Sequence, residues 1–418
     1  MIGEADSSPE TCAKGRDAPG MKRVLCITYH YPPDNSSASR RSGGMAKYLP
    51  QFGWWPLVVT HLWTPTNCVY DPEFVRNLPP DRLLAAMPGG SSTGSSSERV
   101  RILGRTVPRL RWMLRPHQYP WDWTRRAEKT LDRFLRDHTV DAIWATDPPH
   151  GASYVATRIG RRFGIPMVAD YRDVFGELDG EVEVIRRIWR WRRKLLESKI
   201  ISHARTVTTV TAGLAETILK RYGAEAVVIP NGFDPEDLAK SASPVISKFR
   251  IAYTGSVSPL ASPRLVLAAV ERLVSEKKLA EEDVVLEFYG WCPEPFRKSL
   301  LREFGHRDYV RFLPRVSSEA CSAICRSSAV LLLPGYVAHK GIMGGKVFEY
   351  LAARRPILCA PSDLDCMAAL IEQTGTGANC STVDETMRQL LRWYREWQTT
   401  GTVRCRGNTE AILKKLDG

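Results

Sequence analysis

The stretch KGIMGGKVFEYLAARRPILCAP, beginning at Lys340, holds the densest set of residue types able to do chemistry. Gly341, Gly344 and Gly345 make a flexible loop after the apolar run AVLLLP, and a helical pattern then starts near Lys346 and ends before Pro356. Backbone N–H groups at such a helix start face outward with the positive end of the dipole, and they suit a pyrophosphate. Lys346 and Glu349 lie three residues apart and so share one helix face. A cation for phosphate and a carboxylate for two ribose hydroxyls is the chemistry this pair offers, with Phe348 and Leu351 turned to a core. An ordinary amphipathic helix carrying an i, i+3 ion pair would show the same spacing.

Other candidates are more scattered. His150, in TDPPHGASYVA, stands between a strand end and a helix start, where it either faces a ligand or caps the helix. Asp170, Arg172 and Asp173 follow the strand PMVAD, where alternating charges form structural ion pairs or leave Arg172 facing a ligand. Arg264 is the nearest cation after the loop TGSVSPLASP, and Arg315 in FLPRVSSEA is a weaker candidate. Gly43 and Gly44 close a turn-rich loop, YPPDNSSASRRSGG, while Gly255 and Gly290 end the strands IAYTG and VVLEFYG. No aspartate-rich metal motif is present, so metal-independent chemistry with no cofactor is expected. The ten cysteines include no C-x-x-C pair. Cys321 and Cys325 are four apart without partnering histidines, a spacing with no metal-site or redox logic. Cys26 and Cys359 read as small core residues, and the pattern suits a reducing, cytoplasmic compartment.

The elements that must position these groups alternate along 418 residues. VLCITY at 24, PLVVT at 56, DAIWAT at 141, PMVAD at 166, TVTTV at 206 and AVVIP at 226 read as strands separated by helical patterns. A second series, IAYTG, VVLEFYG, VRFLP, AVLLLP and PILCA, begins after residue 247. This is an α/β chain of two Rossmann-like, doubly wound halves facing a central cleft. Expected boundaries are a disordered leader over 1–20, a first domain over 21–235, a linker over 236–247 and a second domain over 248–390. A helical segment over 391–418 is expected to pack back on the first domain. Ligands of open α/β sheets bind outside the carboxyl ends of the strands.

Pieces of the chain resemble the retaining family-4 glycosyltransferases of GT-B architecture. KVFEYLAARRPIL resembles their donor-binding helix, and VLCITYHYPPDNSSASRRSGGMAKYL their first strand and glycine loop. PMVADYRDVF, VTTVTAGLAETILKRYG, VIPNGFDPEDL and IAYTGSVSP match further segments in order, from about residue 21 to 385. The resemblance implies transfer of a sugar from a UDP- or GDP-sugar to a lipid-linked or glycan acceptor, with retention of configuration. It implies base and ribose near Gly290 and Glu349, and a diphosphate near Gly255, Gly344, Gly345, Arg264 and Lys346. It gives Gly43 and Gly44 a place in the donor site and brings His150 near the sugar. Of the family's Glu-x7-Glu pair only Glu349 is present, because Gly341 holds the first position and leaves only main-chain groups for the sugar. A sugar-nucleotide epimerase of the same fold and a scaffold without activity are the alternatives; donor hydrolysis against a panel of nucleotide sugars separates them.

A net charge of +13 points to a polyanionic partner. Two stretches concentrate it, one from Arg99 to Arg126 and the other, IRRIWRWRRKLLESKI, from Ile185 to Ile200. The second, an arginine- and tryptophan-bearing helical segment, reads as lying on an anionic membrane surface, here the inner face of the plasma membrane, rather than as a solvated face with tryptophans packed on a neighbour. No nucleic-acid module accompanies the charge. No apolar run reaches the roughly 18 residues of a membrane-spanning helix, and no secretory leader is seen.

Overall fold

The structure is a computed structural model. It describes residues 20–64, 68, 70–71, 83–87, 99–102, 105–108, 120–173, 183–234, 247–305, 307–337 and 341–407, without the side chains of 87, 99–102, 105–108 and 183–189. The chain divides into two compact units, Met1–Val210 with Ala215–Ile229, and Thr211–Leu214 with Pro230–Gly418.

Along the first unit run β1 (Lys22–Thr28), α1 (Ser37–Tyr48), β2 (Trp54–His61), β3 (Leu83–Met87), the antiparallel hairpin β4 (Arg99–Ile102) and β5 (Arg105–Pro108), α2 (Trp121–Asp137), β6 (Ala142–Asp147), α3 (Gly151–Phe163), β7 (Met167–Tyr171), α4 (Glu183–His203), β8 (Thr206–Thr209), α5 (Ala212–Tyr222) and β9 (Ala226–Val228). Seven of these strands form a parallel sheet in the order β3-β2-β1-β6-β7-β8-β9. The second unit contains β10 (Phe249–Tyr253), α6 (Arg264–Ser275), β11 (Val284–Tyr289), α7 (Glu294–Phe304), β12 (Val310–Leu313), α8 (Ser318–Arg326), β13 (Val330–Leu333), α9 (Lys346–Ala353), β14 (Ile357–Cys359), α10 (Cys366–Thr374), β15 (Gly377–Asn379) and α11 (Val383–Thr400). Its six strands are parallel in the order β12-β11-β10-β13-β14-β15.

Parallel neighbours cannot be joined by a tight turn, so a crossover follows nearly every strand and covers a face of the sheet. That is why the strands are apolar along their whole length: β13, VLLL, is buried at every position. Each sheet grows outward from its first strand and then resumes on that strand's other side. The reversals fall between β1 and β6 and between β10 and β13. At such points adjacent loops leave in opposite directions and open a crevice at the carboxyl ends of the strands.

Two expectations change. The turn-rich stretch before Met45 is a helix from Ser37 onward, capped by the Ser36 hydroxyl accepting from the Ser39 amide at 3.2 Å. Gly43 and Gly44 therefore lie inside α1 and not in a loop that presents its amides to a phosphate. Burial of Ser39, Ser42 and Gly43 against the sheet outweighs their poorer helix propensity. Finally, residues 391–400 are the second half of α11, which carries a Thr382–Glu385 capping box. Leu390, Trp393 and Tyr394 of that helix pack with Phe249 in the core of the second unit, and 408–418 lie outside the described residues.

Because Leu390 is completely buried in that core, Leu390→Ala is expected to destabilise the second unit by about 2–5 kcal/mol, read by denaturant unfolding. A helix resting elsewhere would leave that transition in place.

Candidate functional site

In the second unit the reversal between β10 and β13 gathers most of the residues singled out from the sequence. The end of β11 passes so close to the end of β10 that a Cβ on Gly290, whose φ is +152°, would lie 2.4 Å from the carbonyl oxygen of Gly255. A Cβ on Gly255 would in turn meet the Tyr253 hydroxyl at 2.6 Å. Glycine is required at position 290 for the strand ends to approach, and at 255 it leaves space for the Tyr253 ring.

From the end of β13 the chain leads through Gly341, at φ +77°, to α9. Gly345 is the N-cap residue of α9 and brings no side-chain cap. The first turn tightens instead, with the amides of Val347 and Phe348 donating to the carbonyls of Gly344 and Gly345 at 3.2 and 3.3 Å. Lys346 Nζ meets Glu349 Oε2 at 2.8 Å, with both side chains partly exposed. Behind them Val347, Phe348, Tyr350 and Leu351 are buried. The Tyr350 hydroxyl accepts hydrogen bonds from the amide and hydroxyl of Thr254, at 3.0 and 3.3 Å, and so ties α9 to the end of β10.

Two carboxylates near this loop are structural. Asp363 accepts from the amides of Met367 and Ala368, both at 2.9 Å, and caps α10. Asp365 accepts from the Gly341 amide at 2.5 Å. These two and Cys366 lie close enough to hold a cation, but their bonds already serve the loop and the helix start.

Arg264 opens α6, and its guanidinium turns to α7. Nε donates to Glu303 at 2.7 Å, Nη2 to Ser299 at 2.9 Å, and the group stacks on Phe296. The structure thus joins Arg264 to α7 and not to Lys346 or Glu349. One neighbour of that pair was not singled out from the sequence: Cys321 on α8, 3.6 Å from Glu349 Oε2 and 3.9 Å from Lys346 Nζ. Its i, i+4 spacing from Cys325 carries no signal of this, because the contact is made across two helices.

In the first unit, the turn after β6 carries His150, which is 5% exposed. Nδ1 faces Asp147 Oδ2 at 3.3 Å and Nε2 faces Glu197 Oε1 at 3.2 Å. Glu197, from α4, also accepts from Arg193 Nε at 3.0 Å and from the Tyr222 hydroxyl. Asp170 is paired with Arg41 at 2.9 and 2.7 Å, and with the hydroxyls of Thr146 at 2.8 Å and Thr208 at 2.7 Å. Burial pushes the Asp170 carboxyl up, but Arg41 and the two threonines outweigh it and hold it below the ordinary range. Arg172 bonds neutral oxygens, Thr146 Oγ1 at 2.8 Å and the Pro148 carbonyl, and burial lowers its hold on its proton.

Residues 36–232 match the family described as glycosyl transferase 4-like domain, and residues 248–396 that of glycosyl transferases group 1. The chain is 26% identical over 276 residues to the D-inositol 3-phosphate glycosyltransferase of Streptomyces scabiei, a match covering 58% of this chain and 60% of that protein. The enzyme of the same name from Streptomyces avermitilis is 28% identical over 187 residues, 40% of this chain and 39% of the relative. The chain thus matches less than two thirds of the length of these curated relatives. Among solved structures, Anabaena Alr3699/HepE in complex with UDP and glucose is similar with a TM-score of 0.60 at 13% identity, over 95% of this chain and 97% of that one. WaaG, a glycosyltransferase involved in lipopolysaccharide biosynthesis, gives 0.57 at 13% identity, over 94% and 95%. At such identities the likeness shows the fold, GT-B with two parallel α/β sheets.

Removing one partner of a buried ion pair strands the other. Arg41→Met is therefore expected to destabilise the first unit by about 3–5 kcal/mol at neutral pH. The Asp170 contribution is present above the ordinary carboxylate pKa and is lost as pH falls through the depressed folded value. The gap between wild type and variant should accordingly shrink in acid, as measured by unfolding across that range.

Proposed function

Since the chain belongs to the retaining group 1, family-4 glycosyltransferases, we propose that it transfers a sugar from a UDP- or GDP-sugar to a lipid-linked or glycan acceptor with retention of configuration. The observation that carries this reading is the Lys346–Glu349 pair at the uncapped start of α9, at the reversal point of a parallel sheet. A helix N-terminus and a lysine meet the diphosphate, on which negative charge grows as the sugar leaves. Glu349 accepts from the ribose hydroxyls, and the nucleotide lies beside the close approach of Gly255 and Gly290. The amides of Gly344 and Gly345 extend the phosphate cradle.

Arg264 is a secondary partner in this reading. Its pair with Glu303 is exposed, and such pairs contribute only about 0–1 kcal/mol, so a diphosphate can draw it away. His150 would reach a sugar hydroxyl only by releasing Asp147 or Glu197. The Gly341 amide is held by Asp365, so the sugar meets a loop whose first position offers no side chain.

Glu349→Ala should weaken donor-nucleotide binding by about 1–3 kcal/mol, because the ribose hydroxyls lose their acceptor. Calorimetric titration with UDP and GDP reads this, and the ligand-free melting curve should stay in place. Unchanged affinity for both nucleotides would remove the carboxylate from the site.

We further propose that the acceptor is met at an anionic membrane surface by α4. No helix of the described residues is long and apolar enough to cross a membrane. On α4, Arg190, Trp191, Lys194 and Leu195 are exposed, with Trp191 at 63%. Arg193 is different: it is 15% exposed and bonds Glu197, so it belongs to the interior. Each basic residue near an anionic leaflet contributes about 1 kcal/mol, screened by salt. The protein should co-sediment with phosphatidylserine-containing vesicles at low salt and not with neutral ones. Arg190→Gln with Lys194→Gln should abolish this and spare turnover of a soluble acceptor analogue; equal binding to both vesicle types would show the face to be merely solvated.

A further inference from the structure

Beneath the Lys346–Glu349 pair lies a thiol for which the transfer reaction has no assigned use. Cys321 is 6% exposed, yet its sulfur touches both members of the pair. The polar groups facing it come from three elements. Lys346 and Glu349 stand on α9, Cys325 lies one turn on along α8, and Thr254 follows β10. Cys325 Sγ lies 3.8 Å from Thr254 Oγ1, which also bonds the Tyr350 hydroxyl. The thiol therefore sits on the same hydrogen-bonded layer that fixes α9 to the sheet.

We propose that Cys321 is a positioning residue for donor binding: its S–H donates to Glu349 Oε2 and keeps the carboxylate aimed when Lys346 moves to the diphosphate. This inference rests on the reading of Lys346 and Glu349 as donor-binding groups. Glu349 Oε2 is held by the ammonium at 2.8 Å and by the thiol at 3.6 Å. An incoming diphosphate competes for the ammonium, which is a flexible point charge with three donors. Once it turns away, the thiol still donates to that oxygen, and a partly buried carboxylate that loses a donor is costly.

The arrangement works only while the thiol keeps its proton. As a thiolate, Cys321 would repel Glu349 and retain Lys346, opposing both halves of donor binding. The hydrogen bond from Cys325 and the charge of Lys346 bring the Cys321 thiol down to about 7, against burial and Glu349. A donor that draws Lys346 away favours the protonated form, so binding takes up a proton. Affinity is then full below the thiol's pKa and declines as pH rises through it.

The test is calorimetric titration of UDP and of GDP from about pH 6 to about pH 9 on the full chain, spanning the ordinary range of a perturbed thiol. Wild type, Cys321→Ser, Cys321→Ala and Glu349→Ala are compared. The nucleotide's own phosphate ionisation is common to all four, so differences between them report the protein. Wild-type affinity should fall above neutrality by up to about tenfold per pH unit relative to the serine variant, the limit for one coupled proton. Cys321→Ser keeps a hydroxyl donor that does not titrate; it should bind like wild type at the acid end and lack the decline. Cys321→Ala should bind several-fold more weakly at the acid end and also lack the decline. A serine variant that keeps the wild-type decline, or an alanine variant that binds like wild type throughout, overturns the inference. If Glu349→Ala itself binds like wild type, the donor reading fails first; if it weakens binding while both cysteine variants follow wild type, only the role of Cys321 falls.

Discussion

The Tyr350 hydroxyl, completely buried, receives the amide of Thr254 at 3.0 Å and its hydroxyl at 3.3 Å. These bonds fasten a helix to the end of the neighbouring strand at the one place where the second sheet reverses. Everything proposed for the donor depends on them. Lys346 and Glu349 lie on the same helix, so their position relative to Gly255 and Gly290 is set by the tether. Burial raises the Tyr350 hydroxyl well above its ordinary pKa. It therefore stays protonated, and the tether does not titrate in the range where a nucleotide would bind.

Backbone geometry supplies the second constraint. Gly290 cannot carry a Cβ without meeting Gly255, and Gly341 occupies a positive φ that L side chains rarely adopt. The glycines thus trade conformational freedom for close approach. Asp365 shows the accompanying use of charge: its carboxylate fastens the Gly341 amide, as Asp363 fastens the start of α10. Two acids that resemble half of a cation site are instead loop and helix restraints. Glu349, the carboxylate proposed for ligand chemistry, is held instead by a lysine and a thiol.

The first unit builds its reversal point from charges that satisfy one another in the interior. Arg41 reaches Asp170 from α1, while Arg193 and His150 converge on Glu197. Burying charges is tolerable only when partners are complete, and here the partners come from α1, α4 and the turn after β6. That interlock separates two populations on one helix. Arg190 and Trp191 of α4 are exposed at the surface, whereas Arg193, two residues on from Trp191, is structural.

From the amino-acid sequence alone, the strands β1, β2, β6, β7, β8 and β9 and β10 to β14 were readable, because strands of a parallel sheet are apolar on both faces and stand out as continuous runs. The doubly wound class and the helix starting at Lys346 followed as well, since Lys346, Glu349 and the glycines before them are local in the chain. What lay outside local pattern was decided by packing. Ser- and Gly-rich α1 looks like a loop until small residues are seen to let it close on the sheet. Asp170 was read beside Arg172, but its cation is Arg41, 129 positions away. Cys321 had no chemistry in its spacing and gained it only when α8 came to lie against α9. Periodicity reports which face of an element is buried; it does not report what that face meets, and the pairings of charge that set the site are made between elements distant in sequence.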